Sequence, residues 1–373
     1  MTSIRQRAIP FFDYRGAFLA HEEAFVGIFR DVLGRGAFIQ QRDLADFERH
    51  LAEYLGLRHA IGVGNATDGL VMSLRAAGVG PGDEVVVPSH TMVATVAAVK
   101  HVGATPVLAD CGADHLLDPG SLAAAITQRT RAVMPVHLNG RTCDMDAIGK
   151  AAGEVGLTIV EDAAQGLGSR FRGRLAGTFG VAAAFSFYPA KILGCLGDGG
   201  AVVTNDDAVA HQVRLLRDHG RDGQGEVQCW GFNSRLDNLQ AAILDYQFRD
   251  YQSVIGRRRA IAATYQERLG DLAELTLPPA PGSDPDHHDT FQNYELEAEQ
   301  RDALREFLRA AGVGTLIQWG GKAVHQFRAL GFRQPLPNTD RLFQRALMLP
   351  LNVTLSDEDL HYICDRVREF YCH

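Results

Sequence analysis

The chain has 373 residues, 46% hydrophobic and 22% charged, which excludes a disordered or fibrous polypeptide and suffices for one large core plus a smaller second lobe. Its formal net charge of −8 offers no basic field for gripping a phosphate backbone, so nucleic acid is not an expected partner. No stretch reaches the roughly 18 apolar residues of a membrane span, the first residues lack a signal-like apolar run, and the cysteines show no CxxC spacing; a cytoplasmic enzyme with reduced thiols, no metal and no membrane contact is the expectation.

From about residue 59 to 205 short β-rich runs alternate with amphipathic ones. HAIGVGN, EVVVPS, ATPVLAD, RAVMPVH, LTIVED, AAAFSFY and GGAVVTN read as strands, several apolar throughout, as strands buried on both faces are. Between them DGLVMSLRAAG, TVAAVKHVG, DMDAIGKAAGEVG and DDAVAHQVRLLRDHG read as helices, several closed by a glycine. This is βαβ grammar and predicts an α/β fold. A long helical stretch is expected from about Arg235 to Leu269, then a Pro/Gly/Asp/His-rich loop over 278–289. A separate α+β piece follows, with FQNYELEAE, a helix near 299–311, GTLIQW, and a last helix opened by the S-x-x-D spacing at Ser356. His287 and His288, in that loop, lack the further spacing of a metal site.

IGVGNATDGL (61–70) has G-x-G but Thr67 in the third glycine position, so it fails as a dinucleotide fingerprint. It still offers a strand, a tight turn and a helix start near Thr67-Asp68, where free N–H groups and the helix dipole favour an anion; an ordinary strand-to-helix turn reads the same way. GDGGAV follows Lys191 rather than preceding a lysine, which is the reverse of a P-loop.

LTIVEDAAQ delivers Glu161, Asp162 and Gln165 to a strand end, the edge at which open α/β sheets hold ligands, although Asp162 could equally cap a following helix. Lys191 comes 29 residues later, at the end of AAAFSFY. An amine there can pair with an acid, bind phosphate, or act as a nucleophile whose pKa burial lowers. The last role calls for a carbonyl cofactor. Pyridoxal phosphate needs a lysine, a carboxylate for its ring nitrogen and an anion cradle, and the chain has candidates for all three.

GNATDGL, GVGPGDEVVVPSHT, GATPVLAD, VMPVHLNG, IVEDAAQGLGS, AFSFYPAKILGCLGDGGAVVTND and NSRLDNLQAAIL, in this order, resemble the DegT/StrS family of nucleotide-sugar aminotransferases; the likeness runs more loosely through QNYEL, the segment around His325 and LMLPLN. The resemblance implies fold type I of the pyridoxal-phosphate enzymes: a large domain (1–250) around a mixed, mostly parallel sheet flanked by helices, a smaller α+β C-terminal domain (251–373), and a homodimer with sites at the subunit interface. It also implies residue roles. Lys191 matches the Schiff-base lysine, Asp162 the partner of the pyridine nitrogen, and Gln165 the residue near the ring hydroxyl. Ala66 and Thr67 match the phosphate-binding turn, Ser186 the serine that contacts the phosphate, and Asn233 an asparagine that reaches the partner's phosphate. Taken alone, Ser186 reads equally as a strand hydroxyl, Gln165 as a first-turn helix residue, and Asn233 as the cap of a helix starting near Leu236.

Two positions depart from the family. Met92 stands where many relatives have an aromatic residue on the cofactor ring; a thioether can make a sulfur–aromatic contact there, worth about 0.3–1.5 kcal/mol. GTLIQWGGKAVHQF replaces a Tyr-Pro-x-Pro-x-His run, keeping His325 as the substrate-contact candidate or as a packed histidine. The implied reaction moves an amino group from L-glutamate, through pyridoxamine phosphate, to a nucleotide-linked keto-sugar. The LGDGG run is like that of members acting at sugar carbon 3, which suggests a 3-keto-6-deoxyhexose on dTDP; carbon 4 and a UDP-linked sugar are the alternatives. Dehydratase relatives replace the lysine with histidine, so Lys191 argues against that class, and a non-catalytic cofactor-binding regulator is the third.

Overall fold

The computed structural model describes residues 7–372. Seven strands form the central sheet, in the spatial order His59–Val63, Gly200–Thr204, Ala182–Ser186, Thr158–Asp162, Thr130–Val133, Glu84–Pro88, Thr105–Ala109. Six run in one direction; Gly200–Thr204 is antiparallel to both neighbours. Sequence and structure therefore agree on a mixed, mostly parallel sheet flanked by helices.

Side chains alternate across this sheet. Val85 and Val87 pack with Leu70, Leu74, Val96 and Val99 on one face, whereas Val86 packs with Leu122, Val133 and Ile148 on the other. Both faces are covered, which is why these strands read as unbroken apolar runs. The crossover helices are capped by the residue types that favour such ends: Asn65, Asp118, Asp144 and Asp206 each accept a backbone N–H from the first turn.

A second core forms around the antiparallel strands Leu275–Thr276, Tyr294–Ala298 and Ala346–Leu349 and the helices Arg301–Ala310 and Asp357–Tyr371. Ser356 caps the last helix through the Asp359 N–H, as its S-x-x-D spacing predicts. The helical stretch expected over 235–269 is two helices, Asn238–Phe248 and Tyr251–Leu269, broken at Arg249-Asp250. Tyr251 and Ile255 of the second helix join a core of the large sheet, while Ile261, Tyr265 and Leu269 join the smaller core. One helix thus threads both lobes, directly after residue 250. The loop over 278–289 is mostly turn but ends in a two-residue strand, His287–His288, paired with Arg170–Phe171.

GTLIQW is not a strand: Gln318–Gly321 forms a 3-10 turn, and only Leu316 bridges to Met348. Among the described residues no helix is long and apolar enough to cross a membrane, no group of His, Cys, Asp or Glu could hold a metal ion, and all six cysteines are unpaired.

Candidate active site

The carboxyl ends of the parallel strands converge on one edge, and the amino end of the antiparallel strand arrives there too. At this edge lie Ala66 and Thr67, Met92, Asp162, Gln165, Ser186 and Lys191.

Asp162 is the last residue of its strand and is 4% exposed. Its Oδ2 accepts the Thr95 hydroxyl at 2.7 Å, and its Oδ1 accepts the Ala164 N–H at 3.1 Å. Thr95 Oγ1 lies 2.6 Å from Thr91 Oγ1, so a relay of hydroxyls ends on the carboxylate. Burial raises the Asp162 pKa, opposed by the Thr95 and Ala164 hydrogen bonds and by the positive charge of Lys191. The residues after Asp162 form a tight turn, not a helix, so its carboxylate holds a turn N–H rather than capping a helix.

Lys191 is half-buried, and its amine has no hydrogen-bond or ion-pair partner among the described residues. Burial lowers its pKa to about 8, and the Asp162 charge pulls in the other direction. Lys191, Gln165, Ser186, Tyr251 and Gln292 line a small pocket at this edge.

Gln165 sits in the turn. Its Oε1 accepts the Asn139 N–H at 2.9 Å and Asn293 Nδ2 at 3.3 Å. The oxygen end is therefore fixed as an acceptor, which leaves Nε2 to donate to a ligand. Ser186 ends its strand, with its Oγ accepting the Tyr188 N–H at 3.3 Å.

Ala66 and Thr67 open the helix Ala66–Ala76. Asn65 caps it by accepting the Asp68 N–H at 2.8 Å, and the N–H groups of Ala66 and Thr67 are left for an anion. Gly200 passes beside this turn: a Cβ on it would lie 2.6 Å from the Asn65 carbonyl carbon and 2.8 Å from Ala66 N. The glycine run after the lysine therefore permits this close approach.

Met92, at the same edge, occupies the N-cap position of the helix Val93–His101 without a side-chain cap bond and is 48% exposed. The remaining candidates lie apart. Asn233 is exposed and five residues short of the helix Asn238–Phe248, too far to cap it. His325 is held at both ring nitrogens: Nε2 donates to Asp340 Oδ1 at 3.0 Å, so Nδ1 accepts the Ser89 hydroxyl at 2.7 Å. It ties the C-terminal lobe to the loop that carries Met92.

Glu161 faces away from Asp162. Its carboxylate accepts the N–H groups of Gly177, Phe179 and Gly180, with His137 Nε2 at 2.8 Å. It fastens a turn and has no part in the site. Thr95, Asn139, Asn293 and Gln292 belong to the site's surroundings and carry no motif of their own, although Gln292 and Asn293 open QNYEL.

An unpaired, half-buried amine near a buried carboxylate at a sheet edge, with free N–H groups at a neighbouring helix start, is the frame of a pyridoxal-phosphate enzyme. The residues fit that cofactor, since the amine, the Gln165 Nε2 and the Ala66 and Thr67 N–H groups are all left for a ligand. The chain belongs to the DegT/DnrJ/EryC1/StrS aminotransferase family, whose model matches residues 20–368. It is 42% identical over 368 residues to the dTDP-3-amino-3,4,6-trideoxy-alpha-D-glucose transaminase of Streptomyces venezuelae, covering 97% of this chain and 96% of the relative. The crystal structure of S. venezuelae DesV in complex with a ketimine intermediate superposes with a TM-score of 0.94 at 41% identity, over 98% of this chain and 99% of that one. Bacillus subtilis ntda with bound PMP superposes at 0.89 with 26% identity, over 100% of this chain and 87% of that one. The cofactor is pyridoxal phosphate and the activity is transamination.

Proposed function

We propose that this enzyme transfers the amino group of L-glutamate to carbon 3 of a keto-sugar nucleotide, with a dTDP-linked 3-keto-6-deoxyhexose as the acceptor. The observation that carries this reading is the partnerless Lys191 amine opposite the buried Asp162 carboxylate, on a chain matched almost end to end by a relative named for a dTDP-3-amino sugar.

When bound, pyridoxal phosphate supplies a carbonyl that condenses with amines and a ring that accepts the electron pair left when a carbon–hydrogen bond breaks. The protein does the rest. Ala66 and Thr67 N–H groups and the Ser186 hydroxyl would hold the phosphate, and Asn233, exposed on one protomer of a homodimer, would complete that cradle in its partner. Asp162, held by the Thr95 hydroxyl and the Ala164 N–H, would serve as the carboxylate partner of the ring nitrogen and keep a proton on it. Gln165 Nε2 would donate to the ring oxygen, and the Met92 thioether would make the contact with the ring. Lys191 Nζ, with a proton affinity brought toward neutrality, takes the proton from the donor carbon and later returns one to the sugar carbon.

The test is the absorbance of purified enzyme before and after L-glutamate, followed by mass analysis with a panel of dTDP- and UDP-linked keto-sugars. A yellow-to-colourless change and an aminated dTDP-sugar are expected. No change with glutamate would overturn the donor assignment, and amination of a UDP-sugar alone would overturn the dTDP assignment.

A further inference from the structure

The two peptides that flank Lys191 are held by one side chain. Gln292 Oε1 accepts the Ile192 N–H at 2.9 Å, and Gln292 Nε2 donates to the Ala190 carbonyl at 2.8 Å. Gln292 is 6% exposed, so neither bond competes freely with water. A primary amide offers an acceptor oxygen and a donor nitrogen on separate atoms of one uncharged group, and both of its ends are used.

Gln292 is itself held. Arg258, buried in the helix Tyr251–Leu269, donates from Nε to the Phe291 carbonyl at 2.8 Å and from an Nη to the Gln292 carbonyl at 2.7 Å. It has no carboxylate partner among the described residues. Phe291 adopts φ +54°, a left-handed conformation that a bulky residue takes only under constraint. From the other side, Gly140, at φ +85°, lets the backbone press so close that a Cβ there would sit 2.5 Å from Gln292 N. A buried cation spent on two carbonyls, a strained aromatic residue and a glycine contact all serve to fix one glutamine.

The segment after Lys191 needs such an anchor. Gly194, Gly197, Gly199 and Gly200 follow within nine residues, and glycines give the backbone little stiffness of its own. We propose that Gln292 is a positioning residue for Lys191: its amide clamps the peptides on both sides of the lysine, so that the amine swings between its two proton-transfer positions about its own torsions while the backbone stays still, and Arg258 holds the clamp. This rests on Lys191 being the cofactor lysine, which is tested separately by borohydride reduction of wild-type holoenzyme and mass mapping of the modified residue.

The clamp is tested with Gln292→Leu and Gln292→Glu. In holoenzyme the single-turnover rate with L-glutamate should fall about ten- to a hundredfold in Gln292→Leu while the apparent donor affinity stays within about twofold, the signature of lost alignment rather than lost binding. Gln292→Glu keeps the acceptor for Ile192 N–H but turns a carboxylate oxygen on the Ala190 carbonyl, so it should lose the rate as well. In cofactor-free full-length protein, trace labelling with acetic anhydride as a function of pH should move the Lys191 midpoint from about 8 toward the ordinary lysine value, because an unclamped backbone lets the amine reach water; Asp162 is the charged group that acts on it. If Gln292→Leu does not fold, Arg258→Lys should give the same rate loss by releasing the 291–292 carbonyls. A Gln292→Leu enzyme, or failing that an Arg258→Lys enzyme, with wild-type turnover rate and labelling midpoint, or one that loses only thermal stability, overturns the proposal. Wild-type enzyme that carries no reducible adduct on Lys191 overturns instead the reading on which it rests.

Discussion

Lys191 should cost the protein stability when the cofactor is absent. Burial draws its pKa from the ordinary 10.5 to about 8, which corresponds to about 3 kcal/mol set against the charged amine at neutral pH. Partial exposure lets water offset some of this, leaving about 1–3 kcal/mol. Lys191→Met removes the charge and keeps the length. Because the folded-state pKa lies below the unfolded one, the unfolded chain binds more protons between about pH 8 and 10.5, and wild-type stability rises with pH across that window. The variant should therefore be more stable than wild type by about 1–3 kcal/mol at pH 7, with the advantage shrinking above pH 8 and reaching its minimum near pH 10.5. Any constant remainder is the apolar gain of methionine. Urea denaturation of cofactor-free protein at several pH values and one fixed protein concentration measures it, and the same variant should be inactive. An advantage that does not change with pH, or a less stable variant at pH 7, would refute the reasoning.

Thr95→Val removes the hydroxyl that donates to Asp162 Oδ2; the carboxyl pKa should rise further, moving the acid limb of the rate–pH profile upward and lowering kcat at neutral pH about tenfold. Gly200→Ala places a Cβ 2.6 Å from the Asn65 carbonyl carbon and 2.8 Å from Ala66 N, and fluorescence titration should show cofactor affinity weakened at least about tenfold, with a loss of stability of about 1–3 kcal/mol, because backbone must shift to relieve the overlap. Glu161→Gln leaves the turn at 177–180 short of acceptors and should destabilise the fold by about 2–4 kcal/mol in chemical denaturation. Mixing inactive Lys191→Ala subunits with Asn233→Ala subunits should restore up to about a quarter of wild-type activity, since half the dimers would be mixed and each would hold one intact site; no recovery would place Asn233 in its own protomer's site.

The sheet was legible because strands covered on both faces keep unbroken apolar runs, and the edge residues were legible because Asp162 and Lys191 interrupt such runs. What was missed has a physical pattern. Glu161 and Asp162 are neighbours, and the two-residue period of a strand sends them to opposite faces, one to fasten a turn and the other to the site. Nothing local in LTIVEDAAQ separates them. The break between the helices at 249–250 has no Pro or Gly to announce it. Gln292 and Lys191 meet across about a hundred residues of chain, and His325 finds Ser89 across more than two hundred, so their partners could be seen only in the folded molecule. Gly200 follows the same logic: its close neighbour is Asn65, far back in the sequence.

The antiparallel strand Gly200–Thr204 has a wider consequence. Ser186 pairs with Gly200, and Phe187 N–H donates to the Gly199 carbonyl at 2.8 Å, so the segment that carries Lys191 leaves and re-enters the sheet at almost the same point. It is a closed excursion whose two feet are fixed by ladder hydrogen bonds, and loop-closure entropy changes only slowly with the length of such a segment. Evolution can therefore recut the wall of the pocket by exchanging this one stretch, lengthening or reshaping it between fixed feet, without disturbing a strand of the framework beneath. Such changes are confined to the residues on either side of Lys191, since the lysine rides on the same excursion.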